Sequence, residues 1–233
     1  MRDTPPEPLL RQSPFPVELL IWLSPSFPVG SFAYSQGLEA VVDQGYVHDR
    51  ATMREWLIAV VRHGSLKNDL IVISLVMRAE RQSEIGEWSE LSAALQPSAE
   101  RALEALDQGR SFVAAYRAGW VDQTPAPDIF ETIEPVTYPV ALAIAARAHR
   151  LHQIATLESY AIAFCNNLLS AAIRLSVIGQ FDSQRLIAKL VPTIRDAAKS
   201  AASATANQLG SATYGADLAS MVHETQTTRL FRS

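Results

Sequence analysis

Cysteine occurs once in this chain, at Cys165. A lone thiol closes no internal disulfide, so the composition does not imply an oxidising compartment. Lysine is nearly as scarce, standing only at Lys67, Lys189 and Lys199, and arginine carries most of the positive charge. With 24 acidic residues against 20 basic ones, the net charge of −4 provides no field to gather nucleic acid. Arginine's fixed fork suits ion pairs and protein contacts better than lysine does. Long hydrophobic runs are missing as well. The longest, such as LIVISLVM at 70–77, fall far short of a bilayer span. The opening MRDTPPEPLLRQSPFP lacks the basic start and apolar core of a signal peptide. The expectation is a cytoplasmic protein that binds neither nucleic acid nor membrane.

Signatures of chemistry are equally thin. The chain holds no P-loop, no GxSxG elbow and no HExxH helix. Glu131 and Glu134 lie in a loop, with nothing to mark them as a matched acid and base. Cys165 sits in the apolar stretch SYAIAFCNN, where a thiol behaves as a small hydrophobe. His149 and His152 have a helical spacing that can put two imidazoles on one metal, but Arg147 and Arg150 beside them would repel a cation. The expectation is no catalytic residue, no resident metal and no cofactor.

What is present is a chain of 233 residues, 48% apolar and 19% charged. That length buries enough surface to need no metal or disulfide for stability. Residues 1–17 hold five prolines and read as a flexible arm. Helices are expected from Glu18, across 34–45, and across 51–64 with Asp49 as cap. Lys67 to Arg81 is apolar nearly all round and belongs in the middle of the core. An amphipathic segment around Trp88 and Leu91 follows, then a long helix at 98–120 capped by Ser98, with Gly109 a weak point. A loop at 122–135 carries three prolines and four acids. Pro139 opens the next helix, 155–180 forms another ending at Gly179, and Asp182 caps one interrupted near Pro192. A short helix at 214–222 comes last. The pattern predicts an all-α bundle of about nine or ten helices in one domain, 18–222, followed by a tail at 223–233.

Two stretches stand apart. SPSFPVGSFAYSQGLE, residues 24–39, combines fixed proline torsions, a glycine able to take positive φ, and flanking aromatics. Such a loop can staple the helix that follows, or present Ser35, Gln36 and Glu39 at the start of that helix as a rigid docking surface. The tail RLFRS, 229–233, places Leu230 and Phe231 between arginines. These apolar residues either fold back on the bundle or anchor in another protein, docking being the favoured reading. A helical small-ligand-binding protein or enzyme, with a pocket near Trp56, Tyr160 and Phe164, is the alternative; a well-formed cavity with convergent polar groups would mark it.

Together these stretches resemble the urease accessory protein UreF family. Its opening motif is matched almost throughout by Ser24 to Glu39, and RLFRS resembles the family ending. NNLLSAAIRLSVIGQFDSQRL at 166–186, with Arg174, Gly179 and Gln184, resembles a second family signature, and TYPVALAIAARAHRL a third. The chain departs from the family at Ala141-Leu142-Ala143, where a glycine is usual, and at Gln36, often a histidine. An amide is a poor nickel ligand, so a metal role at that position is weakened. The resemblance implies an all-helical, homodimeric protein without catalysis of its own. It implies that the chain bridges UreD (also called UreH) and the GTPase UreG during nickel insertion into urease apoprotein, UreABC, and modulates the GTPase-coupled delivery. It places partner contacts at Pro28, Gly30, Tyr34, Gln36 and Glu39 in the opening loop, at Arg174 and Gln184, and at Arg229, Leu230, Phe231 and Arg232 in the tail, the last group meeting UreD.

Overall fold

The structure, a computed structural model, describes residues 16–124 and 129–233. Of the expected flexible arm at 1–17, all but Pro16 and Val17 lies outside the described residues, as does the centre of the loop at 122–135. Among the described residues ten α-helices follow one another: α1 (Val17–Trp22), α2 (Leu38–Asp43), α3 (Arg50–His63), α4 (Ser65–Arg78), α5 (Gln82–Ala94), α6 (Ala99–Gly119), α7 (Tyr138–Ala148), α8 (Gln153–Arg174), α9 (Gln180–Ala202) and α10 (Tyr214–His223). Among the described residues there is no strand. The architecture is the all-α single domain expected.

The local signals that start helices work as the sequence suggests. Asp49 accepts the Thr52 N–H at 2.8 Å, and the Thr52 hydroxyl takes the Asp49 N–H in return, closing a reciprocal cap on α3. Ser98 accepts the Arg101 N–H at the start of α6, and Pro139 lies in the first turn of α7. α4 contacts α3, α5, α7, α8 and α9, which explains why it is apolar nearly all round. Against it packs α7, buried from Pro139 to Ala146, its alanines letting neighbouring helices approach closely.

Other expectations are corrected. α2 begins at Leu38, not at 34, because Gln36 and Gly37 adopt positive φ of 58° and 79°, which no right-handed helix contains. α8 stops at Arg174 rather than Gly179: Ser176 takes φ 61° and Val177 donates back to the Ala172 carbonyl at 2.9 Å. Gly179, not Asp182, occupies the N-cap of α9; Asp182 sits in the first turn and pairs with Arg50 and Arg185, each at 2.9 Å. α9 runs unbroken through Pro192. Pro192 and Ala188, four residues before it, are both exposed, so water can serve the carbonyl that loses its usual donor. α6 likewise passes through Gly109 without a break.

One aromatic cluster anchors the entrance to the opening loop. Trp22, fully buried at the end of α1, meets Trp120 edge-on at 5.4 Å and His149 at 5.1 Å, and Phe27 lies 5.3 Å from Phe112. Among the described residues, no helix is long and apolar enough to cross a membrane.

Candidate functional site

The opening loop is held at both ends and bare in the middle. Phe27 and Val29 pack inward, Gly30 turns the chain at φ 73°, and Ser31–Ala33 form a single 3-10 turn. A side chain at that φ would strain the backbone, so the turn selects glycine. The turn lifts Phe32 off the surface, where it is 70% exposed, and returns Tyr34 and Ser35 to the interior. α8 then clamps the loop from behind: Arg174 donates to the Phe32 carbonyl, and the Asn167 amide to the Tyr34 carbonyl at 3.2 Å. At Gly37 a second requirement joins positive φ, since a Cβ there would lie 2.9 Å from the Ser220 backbone nitrogen of α10.

The tail lies along this loop. Arg232 N–H donates to the Ala33 carbonyl at 2.8 Å, and Ser35 N–H to the Ser233 carbonyl at 2.7 Å. The Ser35 hydroxyl reaches the same carbonyl at 2.6 Å. Phe231 is buried, with the Arg174 guanidinium 4.2 Å above its ring, while the Arg232 guanidinium lies 5.6 Å from the Tyr34 ring. Of the two readings of the tail, Phe231 realises the fold-back. Leu230 and Arg232 stay on the surface.

Two buried carboxylates fasten this junction. Glu39 accepts the backbone N–H groups of Leu230 at 2.6 Å and Phe231 at 3.0 Å, together with His223 Nε2 at 3.1 Å. Glu104 takes the Ser233 hydroxyl at 2.6 Å, the Gln108 amide at 3.0 Å, the Gln36 amide at 3.4 Å and the Arg101 guanidinium. Burial alone would depress Arg101, but Glu104 beside it outweighs that and holds its guanidinium above the ordinary range. A third carboxylate, Glu100, bonds His223 Nδ1 and Arg229.

The expected contact residues therefore divide. Pro28, Gly30, Leu230 and Arg232 lie on or beside the outer surface of the junction, whereas Tyr34, Glu39 and Phe231 are buried within it and act as supports. Arg174 bridges loop and tail, and Arg229 pairs with Glu100. Gln184 is not brought to the junction: it is exposed on α9 and, among the described residues, takes no part in the bonds that join loop to tail. Sequence reasoning missed His223, Glu100 and Glu104. Glu100 and Glu104 share one face of α6 at helical spacing, but nothing local says that this face meets the tail.

Three residues weighed for chemistry are accounted for otherwise. His149 and His152 do not share a helix: His149 follows α7 and bonds the Tyr116 hydroxyl at 3.1 Å, while His152 precedes α8. Burial pushes the Cys165 thiol up to about 12, so it stays protonated. A cavity of about 180 Å³ does lie behind the opening loop, walled by Phe32, Tyr160 and Phe164 with Gln36, Gln108 and Asn167 at its rim. The three amides at that rim already donate to Glu104 or to the loop backbone. Those N–H groups are thus taken up within the fold, while Gln36 Oε1 is buried without a partner among the described residues.

The family model UreF matches residues 47–191, well over half of the chain. This chain belongs to the UreF family. It is 42% identical over 220 residues to the urease accessory protein UreF of Methylobacterium radiotolerans, covering 93% of this chain and 96% of that one. To the protein of the same name from Rhodopseudomonas palustris it is 41% identical over 237 residues, covering 97% and 99%. The Xanthobacter autotrophicus protein of that name is 42% identical over 228 residues, covering 94% and 92%. The chain is thus a urease accessory protein: the family's name describes a helper of an enzyme rather than a catalyst, as the sequence suggested.

Proposed function

We propose that this UreF family member is the scaffold that bridges UreD (UreH) and the GTPase UreG during nickel insertion into urease apoprotein, UreABC. The observation that supports this reading is the junction of opening loop and tail. Two segments at opposite ends of the chain form one surface, with Phe32, Leu230 and Arg232 exposed around a buried, densely hydrogen-bonded floor. A prearranged surface loses little entropy when a partner binds, so more of its contact energy appears as affinity. Leu230 and Arg232 are the tail groups that would meet UreD. Pro28, Gly30 and the exposed Phe32 would present the rigid turn to UreG.

In this mechanism the chain does no bond chemistry. It holds UreG in the orientation in which nucleotide hydrolysis and nickel release are coupled, nickel being cargo. A homodimer would present two copies of the surface related by a twofold axis, matching a GTPase that pairs around a metal. The test is reconstitution with purified UreD and UreG: size-exclusion chromatography with light scattering should show a three-component complex that forms only when this chain is present. Direct UreD–UreG association of equal strength without the chain would overturn the bridging reading.

A further inference from the structure

Each nitrogen of the His223 ring is held by a different carboxylate. Nδ1 lies 2.6 Å from Glu100 Oε2 and Nε2 lies 3.1 Å from Glu39 Oε2, and the side chain is fully buried. An ionised carboxylate offers only acceptors, so both bonds exist together only while both ring nitrogens carry protons. With a single proton the ring turns a lone pair towards one carboxylate, in a site closed to bulk solvent where the mismatch is not relieved.

The charged groups around the ring come from four places. α2 supplies Glu39 and α6 supplies Glu100. From the tail comes Arg229, which pairs with Glu100 rather than with the ring. On the ring's own segment stands Glu224, exposed, whose carboxylate accepts the Glu100 backbone N–H at 3.2 Å. Farther along α6, Arg101 and Glu104 pair with each other, and Glu104 takes the Ser233 hydroxyl. Among the described residues, His223 is the only partner of the Glu39 carboxylate able to carry a positive charge; the remaining bonds of that carboxylate are to the Leu230 and Phe231 N–H groups of the tail. Glu100 reaches the tail through Arg229. Both carboxylates that grip the ring therefore also grip residues 229–231.

We propose that His223 is a proton-sensitive latch: doubly protonated, it fastens α10 to the two carboxylates of α2 and α6 that lie beneath the tail, and loss of one proton loosens residues 229–231. Deprotonation of the ring removes one of its two bonds, so while both carboxylates are ionised the latch weakens as pH rises. This concerns the docking of the tail on its own chain and holds whether or not the tail meets UreD.

The test is amide hydrogen exchange on the full chain, with protection at Leu230 and Phe231 corrected for the intrinsic rate at each pH between about 5 and about 8.5. Wild-type protection is expected to fall about tenfold or more across that range, the loss of one charge-assisted bond. In His223→Gln, which cannot titrate, protection should be flat. Glu100→Gln, whose amide can donate to an unprotonated nitrogen, should shrink the dependence, and this variant decides the matter if His223→Gln does not fold. Flat protection in the wild type, or unchanged dependence in whichever variant folds, overturns the proposal.

Discussion

Ser35 and Ser233, separated by 198 positions in the chain, share two hydrogen bonds: the backbone N–H and the hydroxyl of Ser35 both donate to the Ser233 carbonyl, at 2.7 and 2.6 Å. The same hydroxyl accepts the Glu39 N–H at 3.2 Å, so one buried atom ties the end of the tail to the start of α2. Ser35→Ala removes that atom and leaves both groups short of a partner. The expected loss of stability is roughly 1–3 kcal/mol, read from urea melts, with a drop in exchange protection across 230–233 and unchanged circular dichroism. Unchanged tail protection would mean that the hydroxyl does not carry the junction.

Gly30 and Gly37 share positive φ but differ in surroundings, which makes a paired test. At Gly30 a Cβ meets nothing within 4 Å, so Gly30→Ala bears only the backbone strain, about 1–2 kcal/mol. At Gly37 the Cβ would also press on Ser220 N at 2.9 Å, and relief requires moving α10. Gly37→Ala should therefore be the more destabilising in thermal melts, by at least about 1 kcal/mol beyond Gly30→Ala. Equal effects would contradict the close approach of α10. Gly30→Val should leave the core intact and lower partner recruitment by distorting the turn.

Much of the fold is legible in local sequence. Asp49, Ser98 and Pro139 start helices because capping is decided within a turn of chain, and the all-round apolar α4 identifies the centre of the bundle. Pro192 and Asp182 mislead because local propensity yields to context: an exposed helix face tolerates the missing N–H, and Asp182 is drawn to Arg50 from another helix. The junction is harder to read. The opening and ending motifs were recognisable, yet their pairing joins segments almost the whole chain apart, and no periodicity records such a contact. Burial of Glu39 and Phe231, and the part of His223, follow from that pairing.

Asp69 offers a pH test in the core. Burial raises its carboxyl from 3.8 to about 6, partly offset by the Tyr160 hydroxyl donating at 2.8 Å. The folded chain thus holds this proton more tightly than the unfolded one. The associated stability is present below about pH 4 and is lost as pH rises through about 6. Asp69→Asn keeps an acceptor for Tyr160 without the charge. Relative to wild type, the variant should gain about 2 kcal/mol between pH 4 and pH 7 in parallel denaturant melts. A constant difference across that range would mean that Asp69 is not desolvated as described.

The central claim is that this chain acts by presenting its loop–tail surface to other proteins. The most direct measurement is the affinity of purified UreD for the Leu230→Ala/Arg232→Ala double variant, by calorimetry, with circular dichroism as the check on fold. Both side chains are exposed, so helicity should match wild type while affinity falls at least about tenfold. Full affinity in a correctly folded double variant would contradict the account.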